Sequence, residues 1–233
     1  MQYVDGALIN ALGIVLGSLI GLSGGKRFTT DFRRQALRVI GIVVILMGFK
    51  MAWPLPDAIN TLLSLELGLG VGTWLHLDEK IQHFGQWAES RVGTTGFAKG
   101  FISATLIFNI GAMSILGSLQ NGLTGKFPIL ATKAVLDGTT AVILTSVAGW
   151  GVIAAAPVTL LYEGSLSLLA SGLASVLRGV LLTDIKAVGG LMIAAIGMNF
   201  VLDTNIIKIG NLLPALLFPL ILFWLQIHGL HFL

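Results

Sequence analysis

The sequence predicts an all-α, polytopic membrane protein of about eight transmembrane helices in a single domain covering residues 1–233. Three observations predict it. Of the 233 residues, 55% are hydrophobic and only 11% are charged. Soluble domains carry about 25% charged residues, so this chain has too little polar surface to coat a water-soluble globule. Its hydrophobic stretches reach the roughly 20 residues that a membrane helix needs. Glycine accounts for 30 residues, a burden for soluble helices but an asset in lipid, where it lets helix backbones approach closely.

The spans follow in order. The first covers 6–24. The segment before it carries Asp5 and no Lys or Arg, so the stretch reads as a retained helix rather than a cleaved signal. Gly13, Gly17 and Gly21 recur every fourth residue and continue to Gly25. That is the small-residue face of a tight helix contact, read here as a contact within the chain, with a homo-oligomer as the alternative. Spans two and three cover 36–53 and 58–76. In 78–92, Ile81, Phe84, Trp87 and Ala88 fall at helical spacing among Asp78, Lys80, Glu89 and Arg91, which predicts a short interfacial helix. Spans four and five cover 98–118 and 127–147; Gly149-Trp150-Gly151 turns the chain into span six, 150–174, with a seven-span reading as the alternative there; spans seven and eight cover 186–202 and 208–228.

Basic residues concentrate on one side. With the N-terminus outside, Lys26, Arg27, Arg33, Arg34, Arg38, Lys80, Arg91, Lys99 and Lys208 face the cytoplasm, and Lys50, Lys126, Arg178 and Lys186 face outward.

Two parts of the chain match at an offset of about 150 residues. Asp5-Gly6-Ala7 pairs with Glu163-Gly164-Ser165, Gly41 and Gly48 pair with Gly190 and Gly197, and Ile59 to Leu75 aligns with Ile209 to Leu225. The repeat halves are 5–77 and 163–228, flanking central helices at 98–147. An odd number of spans separates the copies, so they cross in opposite directions, the plan of many secondary transporters.

Ionisable residues inside spans carry the functional expectation. Lys133 and Asp137 are four apart and share a helix face. Asp137 lies roughly 14 Å below Pro128, near mid-membrane, where each charge costs about 2.5–3.5 kcal/mol. Gly138, Thr139 and Thr140 follow, a composition suited to a broken helix whose backbone lines a site. Span four carries Asn109 and Gly111 in a related setting, with Gln120 and Asn121 nearer its outer end as candidate entrance residues. Glu66 is a second candidate ligand for a proton or cation, and Glu163 belongs either to the same cavity or to an interface. Asn10 and Asn199 read as interhelical hydrogen-bonders. The site is therefore expected between spans four and five. It suits a secondary transporter for a small solute or ion coupled to H+ or Na+, with a passive channel or a non-transporting membrane partner as alternatives.

Other classes are disfavoured. The chain has no cysteine, so disulfides and thiolate chemistry are excluded. The net charge of +3 is dispersed and leaves no nucleic-acid footprint. Gly21-Leu22-Ser23-Gly24 matches the short serine motif of rhomboid-type proteases, but His228 and His231 fall at the opposite face, so no Ser–His dyad forms. No metal cluster or phosphate-binding loop is visible, so neither an enzyme nor a cofactor is expected.

Four stretches carry a family resemblance. They are Ile9-Asn10-Ala11 with the glycine-rich first span; Gly111-Ala112-Met113 through Gly117, Gln120-Asn121-Gly122 and Gly125; Lys133 through Leu136-Asp137-Gly138; and Asn211 through Pro214-Ala215-Leu216. Over nearly its whole length the chain resembles a family of bacterial inner-membrane proteins, that of domain of unknown function 554. The resemblance implies a polytopic plasma-membrane protein, by common expectation a transporter, and supplies no substrate. Glu66 departs from the apolar pattern of its position in that family.

Overall fold

The computed structural model describes residues 3–25, 29–53, 55, 57–92, 96–109, 112–173 and 180–227, and every regular element among them is helical. Gly111, Lys26, Arg27, Arg178, His228 and His231 lie outside the described residues.

The first three helices are α1 (Asp5–Gly25), α2 (Thr30–Ala52) and α3 (Ala58–Trp74). Thr29 caps α2 by accepting from the Phe32 amide at 3.2 Å. Asp57 caps α3 by accepting from the Asn60 amide at 2.9 Å. These acceptors satisfy amides that have no partner within the helix. The chain then bends by 61° into α4 (Leu77–Val92). His76 makes the corner at φ 53°, a left-handed conformation that is costly for a residue with a Cβ. Neighbouring bonds hold it. The Asp78 amide donates to Asn211 Oδ1 at 2.9 Å, and the Gly210 amide donates to Asp78 Oδ1 at 3.2 Å.

Helices α5 (Phe97–Asn109) and α6 (Ala112–Thr124) are bent by 58° from one another, and α7 (Pro128–Ala148) follows. Pro128 opens α7 where its missing N–H costs nothing. Gly149, at φ 77°, closes it into a 3-10 turn over Gly149–Gly151, so the expected turn is present. The remaining helices are α8 (Ala155–Leu168), α9 (Ala170–Leu173), α10 (Val180–Leu202), α11 (Ile209–Leu212) and α12 (Phe218–Ile227), with a 3-10 segment Leu213–Leu216 between the last two.

Among the described residues four helices are long and apolar enough to cross a membrane, and the number rises to six if each bent pair counts as one span. The eight spans expected from hydropathy are not reached by this measure. Segment 150–174 is divided into a 3-10 turn, α8 and α9, and 208–228 is divided by its 3-10 segment, so neither presents one long helix. Span seven also starts earlier than expected, at Val180.

Two glycine seams organise the packing. Helices α1 and α7 run parallel. A Cβ on Gly13 would lie 2.7 Å from the Ala134 carbonyl oxygen, and Cβ atoms on Gly17 and Gly21 would collide with the carbonyls of Gly138 and Val142. The expected seam is thus internal to the chain. Helices α2 and α10 run antiparallel, and their contact is reciprocal. A Cβ on Gly41 would lie 2.7 Å from the Gly197 oxygen, and one on Gly197 would lie 2.6 Å from the Gly41 oxygen. Gly48 and Gly190 meet in the same way, at 2.5 and 2.6 Å. Around these seams Ile14, Phe108, Leu144, Met192, Ile196 and Phe200 form the apolar core.

Candidate functional site

Lys133 and Asp137 stand one turn apart on α7, and the ammonium donates to Asp137 Oδ2. The spacing brings them together, as the sequence implies. Their surroundings complete a larger group. Glu163 of α8 places Oε1 3.4 Å from the Lys133 ammonium. Asn10 of α1 donates its amide to Asp137 Oδ2 at 3.1 Å and to Glu163 Oε1 and Oε2 at 3.0 and 3.1 Å. Asn10 and Glu163 have no exposed surface, and Lys133 and Asp137 are buried. The Asn10 Oδ1 atom is also buried and has no hydrogen-bond partner.

The charge balance of this group matters more than its shape. One ammonium faces two carboxylates, so with all three ionised the cluster carries one uncompensated negative charge. An isolated buried charge is too costly to persist, and a proton or a bound cation removes the mismatch.

The site differs in composition from the one expected between spans four and five. Helix α8, packed on α5, α6 and α1, supplies Glu163, and α1 supplies Asn10. Asn109 of α5 sits one turn away along α8. Its amide donates to Thr159 Oγ1 at 3.1 Å and to the Thr105 carbonyl at 2.8 Å, and its own Oδ1 is buried without a partner. Thr159 and Glu163, four residues apart, share the buried face of α8.

The other candidates separate from the cluster. Helix α7 runs unbroken through Gly138, so the expected break is absent there; this glycine serves the seam with α1, where bulk rather than flexibility is the constraint. Thr139 is exposed, and its hydroxyl donates to the Val135 and Leu136 carbonyls of its own helix. Thr140 is half-buried. Glu66 is exposed on the outer face of α3, so it is not a buried ligand. Gln120 is half-buried, and its Oε1 lacks a partner. Asn121 is wholly buried and accepts from the Gly6 amide at 3.1 Å, which makes it a helix tie rather than an entrance residue. Asn199 braces the 203–207 corner, donating to the Ile207 carbonyl at 2.7 Å and accepting from the Ile207 amide at 3.2 Å. Among the described residues no group of three His, Asp or Glu side chains has the geometry of a metal site.

Sequence reading left Glu163 undecided and assigned Asn10 to packing. The signal available was an acid and an amide, each alone in an apolar helix. Their convergence across 153 positions is purely tertiary.

Beside the cluster lies a cavity of about 450 Å³. Val158, Tyr162 and Leu166 present one face of α8 to it; Thr105 and Asn109 of α5, Lys186 of α10, and Leu213, Leu216 and Leu220 close the other sides. Asn109 therefore touches the cavity and, through Thr159, the helix face that carries Glu163.

A family profile described as "Protein of unknown function (DUF554)" matches residues 5–224. The chain is 31% identical to "Uncharacterized membrane protein YdfK" of Bacillus subtilis (strain 168) over 97% of its own length and 99% of that protein. It is 24% identical to "Uncharacterized protein YqgA" of Escherichia coli (strain K12), covering 92% of this chain and 94% of the other. No solved structure matches it.

Proposed function

The chain belongs to the DUF554 family, and from that premise and the site geometry we propose that it is a secondary transporter for a small solute, driven by a cation gradient. The observation that carries this reading is the buried cluster of Asn10, Lys133, Asp137 and Glu163, with two acids and a single base. Intramembrane ionisable groups mark ion and proton paths more often than they mark packing. Here the charge excess means that folding and cation occupancy are linked. A proton on Asp137 or Glu163, or a cation bound by the carboxylates, neutralises the group. Loss of that cation leaves a charged core that favours an opened, hydrated arrangement.

The architecture supports alternating access. We read the divided segments 150–174 and 208–228 as spans six and eight, which completes an eight-span bundle in a bacterial plasma membrane with the N-terminus outside. Helix α4 then lies along the cytoplasmic surface. The repeat reading is supported by the second seam. Gly41 matches Gly190 in sequence but touches Gly197, and Gly48 matches Gly197 but touches Gly190. Crosswise contact of matched residues is what a two-fold axis in the membrane plane generates. The match of Asp5 with Glu163 gains no such support, because Asp5 opens α1 whereas Glu163 lies well inside α8.

The test is charge movement in proteoliposomes on a solid-supported membrane after a pH or Na+ jump, a readout that needs no knowledge of the solute. A transporter gives a transient current, and Asp137→Asn and Glu163→Gln abolish it while the protein remains folded. A sustained current would identify a channel instead, and wild-type current in both variants rejects the site.

A further inference from the structure

We infer that the cavity between α5, α8, α10 and the α11–α12 segment binds a small organic acid with an apolar body, its carboxylate against the Lys186 ammonium. The inference names the cargo class of the transporter proposed above and rests on that reading for the cargo role alone; binding is a separate property of the cavity.

The volume, about 450 Å³, falls within the range of roughly 300–1,000 Å³ typical of small-molecule sites. Leu213, Leu216, Leu217 and Leu220 make the wall apolar, which suits a hydrocarbon or aryl body. Among the described lining residues Lys186 is the charged one. It is half-buried in the second turn of α10, and among the described residues no carboxylate lies within ion-pair distance of it. A cation in an apolar recess without an anionic partner selects for an anion and against an amine. Asn109 and Thr105 add polar residues to the same wall.

The position also gives such an acid a route to the charge cluster. Tyr162 lines the cavity and is followed by Glu163, which faces the opposite helices. The cavity and the cluster thus share helix α8.

The experiment is equilibrium binding of radiolabelled 3-phenylpropionate to the purified full-length protein in nanodiscs. Saturable binding is expected, displaced by 3-phenyllactate and by 4-methylpentanoate, and not by 3-phenylpropylamine or 3-phenylpropanol. Lys186→Gln weakens it about tenfold or more, the usual loss when a charge-assisted bond is removed, and Lys186→Arg restores most of it. Leu216→Trp fills the cavity and abolishes binding without removing the charge, so the two variants fail for different reasons. The absence of saturable binding, equal displacement by the amine, or unchanged affinity in Lys186→Gln overturns the inference. Binding that follows the expected pattern in a protein showing no charge movement would retain the site and reject the transporter reading.

Discussion

The two glycine seams use the same close backbone approach for different ends. Between α2 and α10 the contact is antiparallel and reciprocal, glycine against glycine, and is flanked by Val44, Met192, Ile193 and Ile196. Between α1 and α7 it is parallel, with three glycines of α1 set against α7 backbone and Gly138 of α7 set against Gly13 in return. Gly13, Gly17 and Gly21 let α1 sit on the α7 carbonyls, and Asn10 and Asp137, on the facing surfaces, become part of a polar cluster. The difference teaches that close approach is neutral as to function. The first seam makes a dry joint, and the second brings an amide within bonding distance of buried acids.

The largest effect is expected at the cluster. Lys133→Met removes the only base and leaves two acids facing each other. Loss of one partner of a buried pair costs about 3–5 kcal/mol, so a large drop in the melting temperature is expected. Glu163→Gln has the opposite sign, because it removes the charge excess while keeping a group that can accept from Asn10. Its melting temperature should equal or exceed that of the parent. If both variants destabilise alike, the charge balance described here is wrong.

The seams give the next effect. A methyl group at Gly17 meets the Gly138 carbonyl, which is backbone and cannot swing aside. Gly17→Ala should cost about 1–3 kcal/mol, as overpacking does, and should also weaken the cation response by moving Asn10. Gly48→Ala should cost a similar amount and leave that response intact, which separates the dry joint from the polar one. Because Gly48 and Gly190 share one contact, Gly48→Ala with Gly190→Ala should cost less than the two single changes added together. Additivity in thermal melts would contradict the reciprocal packing.

The smallest effect is expected at the corner after α10. Asp203 accepts from Arg34 at 3.0 Å and lies 3.9 Å from the Lys99 ammonium, in partly exposed surroundings. Exposed pairs contribute about 0–1 kcal/mol, and Asn tolerates the positive φ that Asp203 adopts. Asp203→Asn should therefore barely move the melting temperature.

Local features were legible in the sequence, and partnerships were not. The four-residue spacing of Lys133 and Asp137 and the glycine face of α1 follow from helix periodicity alone. So does α4, whose Phe84 and Trp87 stack at 5.8 Å. Glu66 shows the limit. A lone acid in an apolar stretch reads as buried, but which way its face turns depends on neighbours that sequence order does not reveal. Gly138 shows another limit, since a mid-helix glycine serves a break or a close contact equally well. Asn10 and Glu163 could not be assigned to the site because each gains its role only from the other and from α7.

The most direct measurement of the central claim is the charge displaced by a pH or Na+ jump on a solid-supported membrane carrying the wild-type protein or Glu163→Gln. A transient displacement is expected in the wild type and its loss in the variant, with both proteins equally folded. Equal displacement in the two, or none above empty liposomes in either, would contradict it.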